Sequence, residues 1–249
     1  IPIRTKYGRE IRRAFIPSNG NILLAADYSQ IELRIIAALS KDPAMVKAFQ
    51  NNEDIHALTA STIFKVPVDQ ITREMRSKAK EVNFGLIYKM GPERLSIVTH
   101  TSKSEAKAFI ERFFEKYSTI HALQERFLAQ ARKEGFTTTL LGRRRYLPDI
   151  NAKGMLKRMA EGAAVNTPIQ GSAAEVIKLA MIKIQQELEN QKMGSKMILT
   201  VHDELVFDVP FEEEQELCEL VKDKMENVML LEVPLLVEIG RGNNWLEAH

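Results

Sequence analysis

The chain has 249 residues, of which 45% are hydrophobic and 27% are charged, and its formal net charge at pH 7 is +2. This composition is that of an ordinary globular protein with one large domain or two modest ones. The longest uncharged stretches, such as 163–174, are shorter than the roughly 18 apolar residues of a membrane span, and no signal peptide opens the chain, so we expect a cytosolic protein. The single cysteine, Cys218, excludes an internal disulfide and a multi-cysteine metal site.

Charge is distributed unevenly along the chain. Basic residues outnumber acidic ones by four in residues 1–16 and by five in residues 141–158, whereas acidic residues are in excess by five in residues 211–226. This polarity suits a protein with one face for a polyanion and another for solvent. Solvated charged faces would give the same pattern, so composition alone leaves both interpretations open.

The first elements in chain order are a strand and then a helix. NILLAA (21–26) is an apolar run of strand length, and behind it Ile31, Ile35 and Leu39 recur at helical spacing. Residues 103–118 form a predicted helix after a capping box from Ser102 to Glu105.

Strand patterns return near the end of the chain, after a second predicted helix at 172–190. MILTV and LVFDV flank HDE, which predicts a β-hairpin, and PLLVEI (234–239) predicts a further strand. Because strands at the two ends surround a long helical middle, we predict an α+β fold. In this fold an antiparallel sheet with helices carries an inserted all-helical subdomain.

Acidic residues follow a predicted buried strand and occupy the predicted hairpin turn. Asp27 ends the strand, and Asp203 with Glu204 lies at the turn more than 170 residues later. If the two tips meet, their carboxylates could hold hard divalent cations such as Mg²⁺, which prefer oxygen ligands. A plain turn would account for HDE equally well, since Asp is common in turns.

A second pattern lies in RSKAKEVNFGLIYKM (76–90), where Arg76, Lys80, Phe84 and Tyr88 are four residues apart. On an α-helix this spacing gives one slowly winding stripe of two cations followed by two aromatic rings. The cations could bind a polyphosphate and the rings could stack on a base or sugar, which is the polarity of a nucleoside triphosphate. Alternatively, the aromatic residues belong to the core and the cations are their solvated flank.

Three ordered segments resemble the signature motifs of the bacterial DNA polymerase I family, also called family A DNA polymerases. They are DYSQIELR (27–34), RSKAKEVNFGLIY (76–88) and VHDELVF (201–207). LGRRRYLPDI (141–150), NTPIQGSAAEVIK (166–178) and NNWLEAH (243–249) are similar to further segments of the family. The resemblance covers essentially the whole chain.

The resemblance implies a palm formed by residues 1–45 and 151–249 and fingers formed by residues 46–150. It implies a DNA-directed DNA polymerase that transfers deoxynucleotides from dNTPs to a primer 3′-hydroxyl by two-metal phosphoryl transfer, with two Mg²⁺ ions or with Mn²⁺ in their place. Primer-template DNA and dNTPs are the expected partners. We expect a monomer of the bacterial cytosol or nucleoid, with the thumb and any nuclease domain in segments outside this chain.

The resemblance also implies individual site residues. Asp27, Asp203 and the carbonyl of Tyr28 match metal ligands, Glu204 matches a supporting acid, and Lys80 matches a proton donor to pyrophosphate. The expected substrate-binding residues are Arg76, Lys80, Phe84, Tyr88, His56, Gln30, Glu32 and Arg4. The expected DNA-binding residues are Arg145, Asn166, Gln170, Tyr88, Lys89 and His202.

Two implied roles have alternatives in the sequence itself. Glu32 matches the family glutamate that crowds the sugar 2′ position, but its spacing from Ser29 also fits a capping box. His56, in DIHALTA, matches a phosphate contact, although a lone histidine is more often structural.

The chain departs from the family pattern at two positions. Lys89 and Gly162 stand where the family usually has Gly and commonly has Arg, respectively. A nucleic-acid or nucleotide-binding module that does no synthesis remains the alternative function. The metal ligands and phosphate-binding cations together favour the polymerase, and the expected lack of a thumb favours the module.

Overall fold

The computed structural model describes residue 1 and residues 5–249 of the chain, in which helices and strands follow one another from Lys6 to Ala248. The helices are α1 (Lys6–Arg13), α2 (Ile31–Ser40), α3 (Pro43–Gln50), α4 (Ile55–Phe64), α5 (Arg73–Ile87), α6 (Pro92–Thr99), α7 (Lys103–Lys116), α8 (Ser118–Glu134), α9 (Gly154–Asn190), α10 (Glu214–Glu226) and α11 (Trp245–Ala248). The strands are β1 (Asn21–Tyr28), β2 (Phe136–Thr138), β3 (Arg144–Tyr146), β4 (Lys196–Val201), β5 (Glu204–Pro210) and β6 (Val237–Gly242).

The described residues divide into two compact units, which are residues 1–31 with 173–249 and residues 32–172. The first contains an antiparallel sheet of four strands in the order β4-β5-β1-β6, and the second is helical apart from the short hairpin β2–β3. The mixed helix and antiparallel-sheet fold is therefore confirmed. The hairpin was not predicted, because its two strands have only three residues each.

The central strands of the sheet are apolar because helices or neighbouring strands cover them. Six of the seven residues of β5 are buried, whereas the edge strand β4 alternates between exposed and half-buried positions. One face of the sheet contains Leu23, Ala25 and Val206, and Trp245 and Ala248 of α11 pack against it. On the opposite face, the hydroxyl of Tyr28 donates a hydrogen bond to the Met225 carbonyl of α10 at 2.8 Å.

The predicted hairpin around HDE is confirmed. Val201 pairs with Glu204, so the loop between β4 and β5 consists only of His202 and Asp203. The backbone φ of His202 is +58°, a left-handed conformation that allows such a short reversal. The strand predicted at 234–239 begins instead at Val237.

Helix α9 begins well before the helix predicted at 172–190 and contains Pro168. Proline removes one helical N–H donor, which usually ends or bends a helix. Here the Ala164 carbonyl, which loses its donor because residue 168 is proline, accepts a hydrogen bond from the Thr137 hydroxyl of β2 at 3.2 Å. The predicted capping box at Ser102 and Glu105 is present at the start of α7. Within the described part of the chain, none of the helices has the length and apolar character that a membrane crossing requires.

Candidate active site

Two acidic residues from distant segments meet at one end of the sheet. Asp27 lies near the end of β1 and pairs with Glu204, and the N–H of Tyr28 donates to the Asp203 carbonyl at 3.2 Å. Both aspartates are half-buried. The condition for a shared metal site, that the strand end and the hairpin tip lie together, is therefore fulfilled.

The neighbouring acid, Glu204, has a different environment. It is only 3% exposed; one of its carboxylate oxygens accepts a hydrogen bond from Trp245 Nε1 at 2.6 Å, and the other lies 2.8 Å from His249 Nδ1. The Tyr28 side chain is committed to the core, where burial raises the pKa of its hydroxyl and nearby Glu226 adds to the effect. Any part that Tyr28 takes at the site therefore belongs to its backbone.

The donor set of this end of the sheet fits a partly open magnesium site. No group of three or more His, Cys, Asp or Glu side chains converges as a metal cage anywhere in residues 5–249. Magnesium is usually bound by one or two protein carboxylates together with water and substrate phosphates, and Asp27 with Asp203 supplies that number.

The stripe predicted from the RSKAKEVNFGLIY motif lies on α5. Ala79, Val82, Asn83, Leu86 and Ile87 make the buried face of the helix. On the other side Lys80 is exposed, and Arg76, Phe84 and Tyr88 are half-buried. The rings of Phe84 and Tyr88 are stacked with their centroids 6.4 Å apart. The stripe thus offers both its cations and its aromatic faces outside the core.

Arg76 is oriented by an acid on the neighbouring helix. Its Nε donates to Asp54 Oδ2 at 2.5 Å, and Asp54 also caps the N-terminus of α4. Burial opposes ionisation of Asp54, but the hydrogen bond from Arg76 and those from the α4 backbone outweigh it, so the pKa of Asp54 is lowered. Asp54 therefore stays ionised and holds the guanidinium beside the stripe.

His56 is a buried neutral side chain at the same end of α4. Burial lowers its pKa from 6.5 to about 4, which outweighs the opposing effect of Asp54. The Asn83 side-chain amide lies 2.9 Å from Nδ1, which makes Nδ1 the acceptor and leaves the proton on Nε2. Nε2 is buried and has no hydrogen-bonding partner among the described residues. His56 is therefore equipped to donate one hydrogen bond and not to supply a charge.

Glu32 and Tyr88 are directly connected. The Tyr88 hydroxyl donates to the Glu32 carboxylate, and Gln170 of α9 forms a further side-chain hydrogen bond with Tyr88. Burial raises the pKa of Tyr88, and the bond to Glu32 raises it further. The three predicted contact residues of this group are thus brought together within residues 32–172.

The predicted DNA-binding residues of the β2–β3 hairpin and α9 are neighbours. Arg145 Nη1 donates to Thr167 Oγ1 at 3.0 Å, next to Asn166. Asn166 and Gln170 are one turn apart on α9, and the Asn166 side-chain oxygen is buried without a partner in the described structure. Arg143, Arg144 and Arg145 are exposed. This part of the unit therefore combines exposed arginines with a buried amide oxygen, that of Asn166, which has no hydrogen-bonding partner in the described structure.

Four predicted positions remain, namely Gln30, His202, Lys89 and Arg4. The side-chain oxygen of Gln30 is buried with no partner that the structure describes, and the residue has a φ of +55°. His202 is exposed at the hairpin tip. Lys89 follows α5 and is treated below, and Arg4 lies outside the described residues.

Comparison with known proteins identifies the family. The sequence model of DNA polymerase family A matches residues 1–247. The chain belongs to DNA polymerase family A. It is 47% identical over 249 residues to the thermostable DNA polymerase I of Thermus aquaticus and 46% identical over 248 residues to DNA polymerase I of Caldicellulosiruptor bescii. These matches cover 100% and 99% of the chain but only 30% and 29% of the relatives.

A solved structure has the same fold. It is the POL domain of Pol1 from M. smegmatis in complex with DNA primer-template and dNTP, with a TM-score of 0.95 and 44% sequence identity. The match covers 100% of this chain and 44% of that chain.

The family A sequence pattern pointed to the two aspartates and the stripe but not to the residues that orient them. Asp54 and Asn83 lie inside the segments DIHALTA and RSKAKEVNFGLIY, yet neither was singled out as a partner of Arg76 or His56. Trp245 and His249 lie in NNWLEAH, a segment recognised only by likeness. A buried carboxylate next to an Asp at a hairpin turn is a signal that could have prompted a search for its partners.

Lys89 lies at the end of α5 in a left-handed backbone conformation. It is the first of the two positions at which we expected this chain to depart from the family A sequence pattern. Its φ is +65°, its N–H donates to the Leu86 carbonyl, and the N–H of Met90 donates to the Gly85 carbonyl. These two bonds define a Schellman motif with Lys89 at the position that Gly most often occupies. The ammonium group lies 3.8 Å from Glu125 of α8.

A cavity of about 480 Å³ lies at the end of α5, within residues 32–172. Its lining includes Phe84, Tyr88, Lys89, Met90 and Arg94. Two cations and two stacked rings therefore border one open space. The second departure, Gly162, has free space where a side chain would project, and nothing in the structure explains the glycine.

Proposed function

We propose that this chain carries the catalytic centre of a DNA-directed DNA polymerase, which transfers deoxynucleotides from dNTPs to a primer 3′-hydroxyl. The observation that carries the proposal is the meeting of Asp27 and Asp203, from segments far apart in the sequence, at one end of the sheet. The likeness over the whole chain to a POL domain in complex with DNA primer-template and dNTP supports it.

Asp27 and Asp203 would hold two Mg²⁺ ions, or Mn²⁺ in their place, together with the carbonyl of Tyr28. Bound there, the metals would supply an activated nucleophile and charge stabilisation for the leaving pyrophosphate. The two carboxylates contribute negative charge at a half-buried end of the sheet, which favours divalent cations over monovalent ones. Glu204, whose two oxygens contact Trp245 and His249, would support this site without binding the metals.

The stripe on α5 would bind the triphosphate of the incoming nucleotide. Arg76 suits a forked contact with phosphate oxygens, and Asp54 holds it in place before the substrate arrives. Exposed Lys80 is a mobile point charge and the proposed proton donor to pyrophosphate. The neutral His56 would donate a hydrogen bond from Nε2 to a phosphate oxygen. Phe84 and Tyr88 would stack against the sugar and base.

Unsatisfied buried polar atoms support these contacts. Buried polar side chains almost always have hydrogen-bonding partners in folded proteins. Gln30, His56 and Asn166 each have a buried polar atom with no partner among the residues described, and each was expected to contact substrate or DNA. We propose that nucleotide or nucleic acid completes their hydrogen bonds.

We propose that Arg145, Asn166, Gln170 and His202 contact primer-template DNA. The three exposed arginines at 143–145 provide the sequence-independent attraction to phosphates that DNA binding requires. We propose that the reaction takes place in the bacterial cytoplasm, at the nucleoid, and the bacterial origin of the similar DNA polymerases I supports this. We propose that the protein acts there as a monomer, with a thumb supplied from elsewhere in the polymerase.

A binding module without synthesis is the second candidate, because the chain spans about 30% of the length of the relatives it matches. Primer extension with Mg²⁺ separates the two functions when it is measured on this chain and on the longest native product that contains it. The polymerase predicts template-directed extension by at least the longer product. DNA binding without extension by either protein would establish the module.

A further inference from the structure

The environment of Glu204 indicates a positioning role that reaches Asp203. One oxygen of this buried carboxylate accepts a hydrogen bond from Trp245, and the other is in close contact with His249 Nδ1, at 2.8 Å. A group in this state has little freedom to move toward a metal ion or substrate. Its fixed position, however, determines where the chain enters β5.

The strand register connects Glu204 with both predicted metal ligands. Glu204 is the first residue of β5, and its cross-strand partner is Asp27. It directly follows Asp203, which is the second residue of the two-residue loop between β4 and β5. Because so short a loop has few conformations, fixing the side chain of Glu204 restricts the position of Asp203 relative to Asp27.

Helix α11 is seated firmly enough to fix Glu204. It lies directly against β6, where a Cβ atom at Gly240 would come within 2.1 Å of the Ala248 carbonyl oxygen. The Trp245 ring packs against the Arg12 guanidinium at 4.1 Å and against the Phe15 ring at 5.4 Å, and its backbone N–H donates to the Phe15 carbonyl. These three contacts fix the position of the Trp245 ring, and with it the indole N–H that donates to Glu204.

We propose that Trp245 and His249 are positioning residues for the metal site. By binding the two oxygens of Glu204, they hold the start of β5 and with it the His202–Asp203 loop, so that Asp203 is presented beside Asp27. The proposal rests on the proposed function, since it assigns these residues to the metal site of that reaction. Partners that orient metal ligands typically change metal affinity or activity by about 10- to 100-fold when they are removed.

The test compares Trp245→Phe and His249→Ala with Asn244→Ala in the longest native product that contains the chain. Trp245→Phe keeps the packing of the ring and removes only its N–H group. Asn244 caps α11 by accepting from the Glu247 N–H and does not touch Glu204, so Asn244→Ala loosens the helix by loss of a cap alone. Each variant is examined by thermal melting, by Mn²⁺ binding in electron paramagnetic resonance, and by primer extension over a range of Mg²⁺ concentrations.

We expect Trp245→Phe and His249→Ala to weaken Mn²⁺ binding and to lower kcat by about tenfold, with less than a twofold change in KM for dNTP. Asn244→Ala should lower the melting temperature and leave Mn²⁺ binding unchanged. If Trp245→Phe and His249→Ala have the same Mn²⁺ binding and the same kcat as Asn244→Ala, the positioning role is overturned. Extension that persists in Asp27→Asn would instead refute the proposed function on which the role rests.

Discussion

The residue that defines sugar choice in this account is Glu32, whose carboxylate accepts a hydrogen bond from Tyr88. If Glu32 crowds the sugar 2′ position, Glu32→Ala should admit ribonucleotides far more readily. Single-nucleotide insertion of dNTP and NTP measures the selectivity. Glu105→Ala is the matched control, because it removes a capping-box acid in the same unit at a stability cost of about 1 kcal/mol. Ribose discrimination that is unchanged in Glu32→Ala, with a lowered melting temperature, would leave only a structural role.

Lys89 combines backbone strain with an exposed cation. A left-handed non-glycine residue costs about 1–2 kcal/mol, so Lys89→Gly should stabilise the unit. If Lys89 also neutralises about one template phosphate, the same substitution should weaken DNA binding and reduce the salt slope by roughly one unit. Misinsertion frequency should fall as well. DNA binding over a series of salt concentrations and single-nucleotide misinsertion measure these effects.

Lys65→Gly is the control for Lys89, since Lys65 ends α4 with a φ of +56°. It should give the stabilisation without the change in salt slope. Equal salt dependence and equal misinsertion in wild type and Lys89→Gly would show that Lys89 is an ordinary surface lysine.

His56 gives the helical unit a predicted dependence on pH. The folded-state pKa is about 4 and the ordinary value is 6.5, so the unfolded chain binds the proton first as pH falls. The contribution of His56 to the free energy of unfolding should therefore decrease between about pH 6.5 and pH 4, by up to roughly 3 kcal/mol, and level off below. Denaturant unfolding over this range measures it. His56→Gln should lose this slope, and an identical slope in both proteins would contradict the assignment.

At the scale of elements, α8 fixes the end of α5, the helix proposed to bind the substrate. Gln124 Nε2 is buried and donates to the carbonyls of Leu86 and Ile87 in the last turn of α5. Gln124→Leu should lower the free energy of unfolding by about 1–3 kcal/mol, because the two carbonyls lose their buried partner. Gln130→Leu on the same helix removes only an exposed bond to Glu134 and should have little effect. Equal stability of the two variants in denaturant would contradict the role of Gln124.

Most elements could be predicted from local patterns because those patterns have physical causes that act within one segment. The buried run in β1, the hairpin around HDE and the Ser102–Glu105 capping box were all found in this way. The start of α9 could not be, since the hydrogen bond that compensates for Pro168 comes from Thr137 of β2 and forms only on folding. For the same reason the partners of Glu204 and Arg76 were missed, because only the fold brings Trp245, His249 and Asp54 to them.

At the scale of the molecule, the described residues form two units, 1–31 with 173–249 and 32–172. The predicted palm and fingers boundaries at 45/46 and 150/151 differ from this division and remain a functional prediction. Residues 32–45 and 151–172, which were predicted to belong to the palm, belong to the helical unit of the structure. The two aspartates proposed as metal ligands belong to the first unit, and the proposed substrate-binding residues Arg76, Lys80, Phe84 and Tyr88 belong to the second.

The metal-dependent synthesis of DNA is tested most directly by primer extension with Asp27→Asn and Asp203→Asn in the longest native product that contains the chain. Each change keeps the size of the side chain and removes the negative charge that a divalent cation requires. We predict that either substitution lowers the extension rate at least tenfold, while the melting temperature and DNA binding stay near those of the wild type, because losing a metal ligand removes several kcal/mol of transition-state stabilisation. A rate above about a tenth of the wild-type value in either variant would contradict the account.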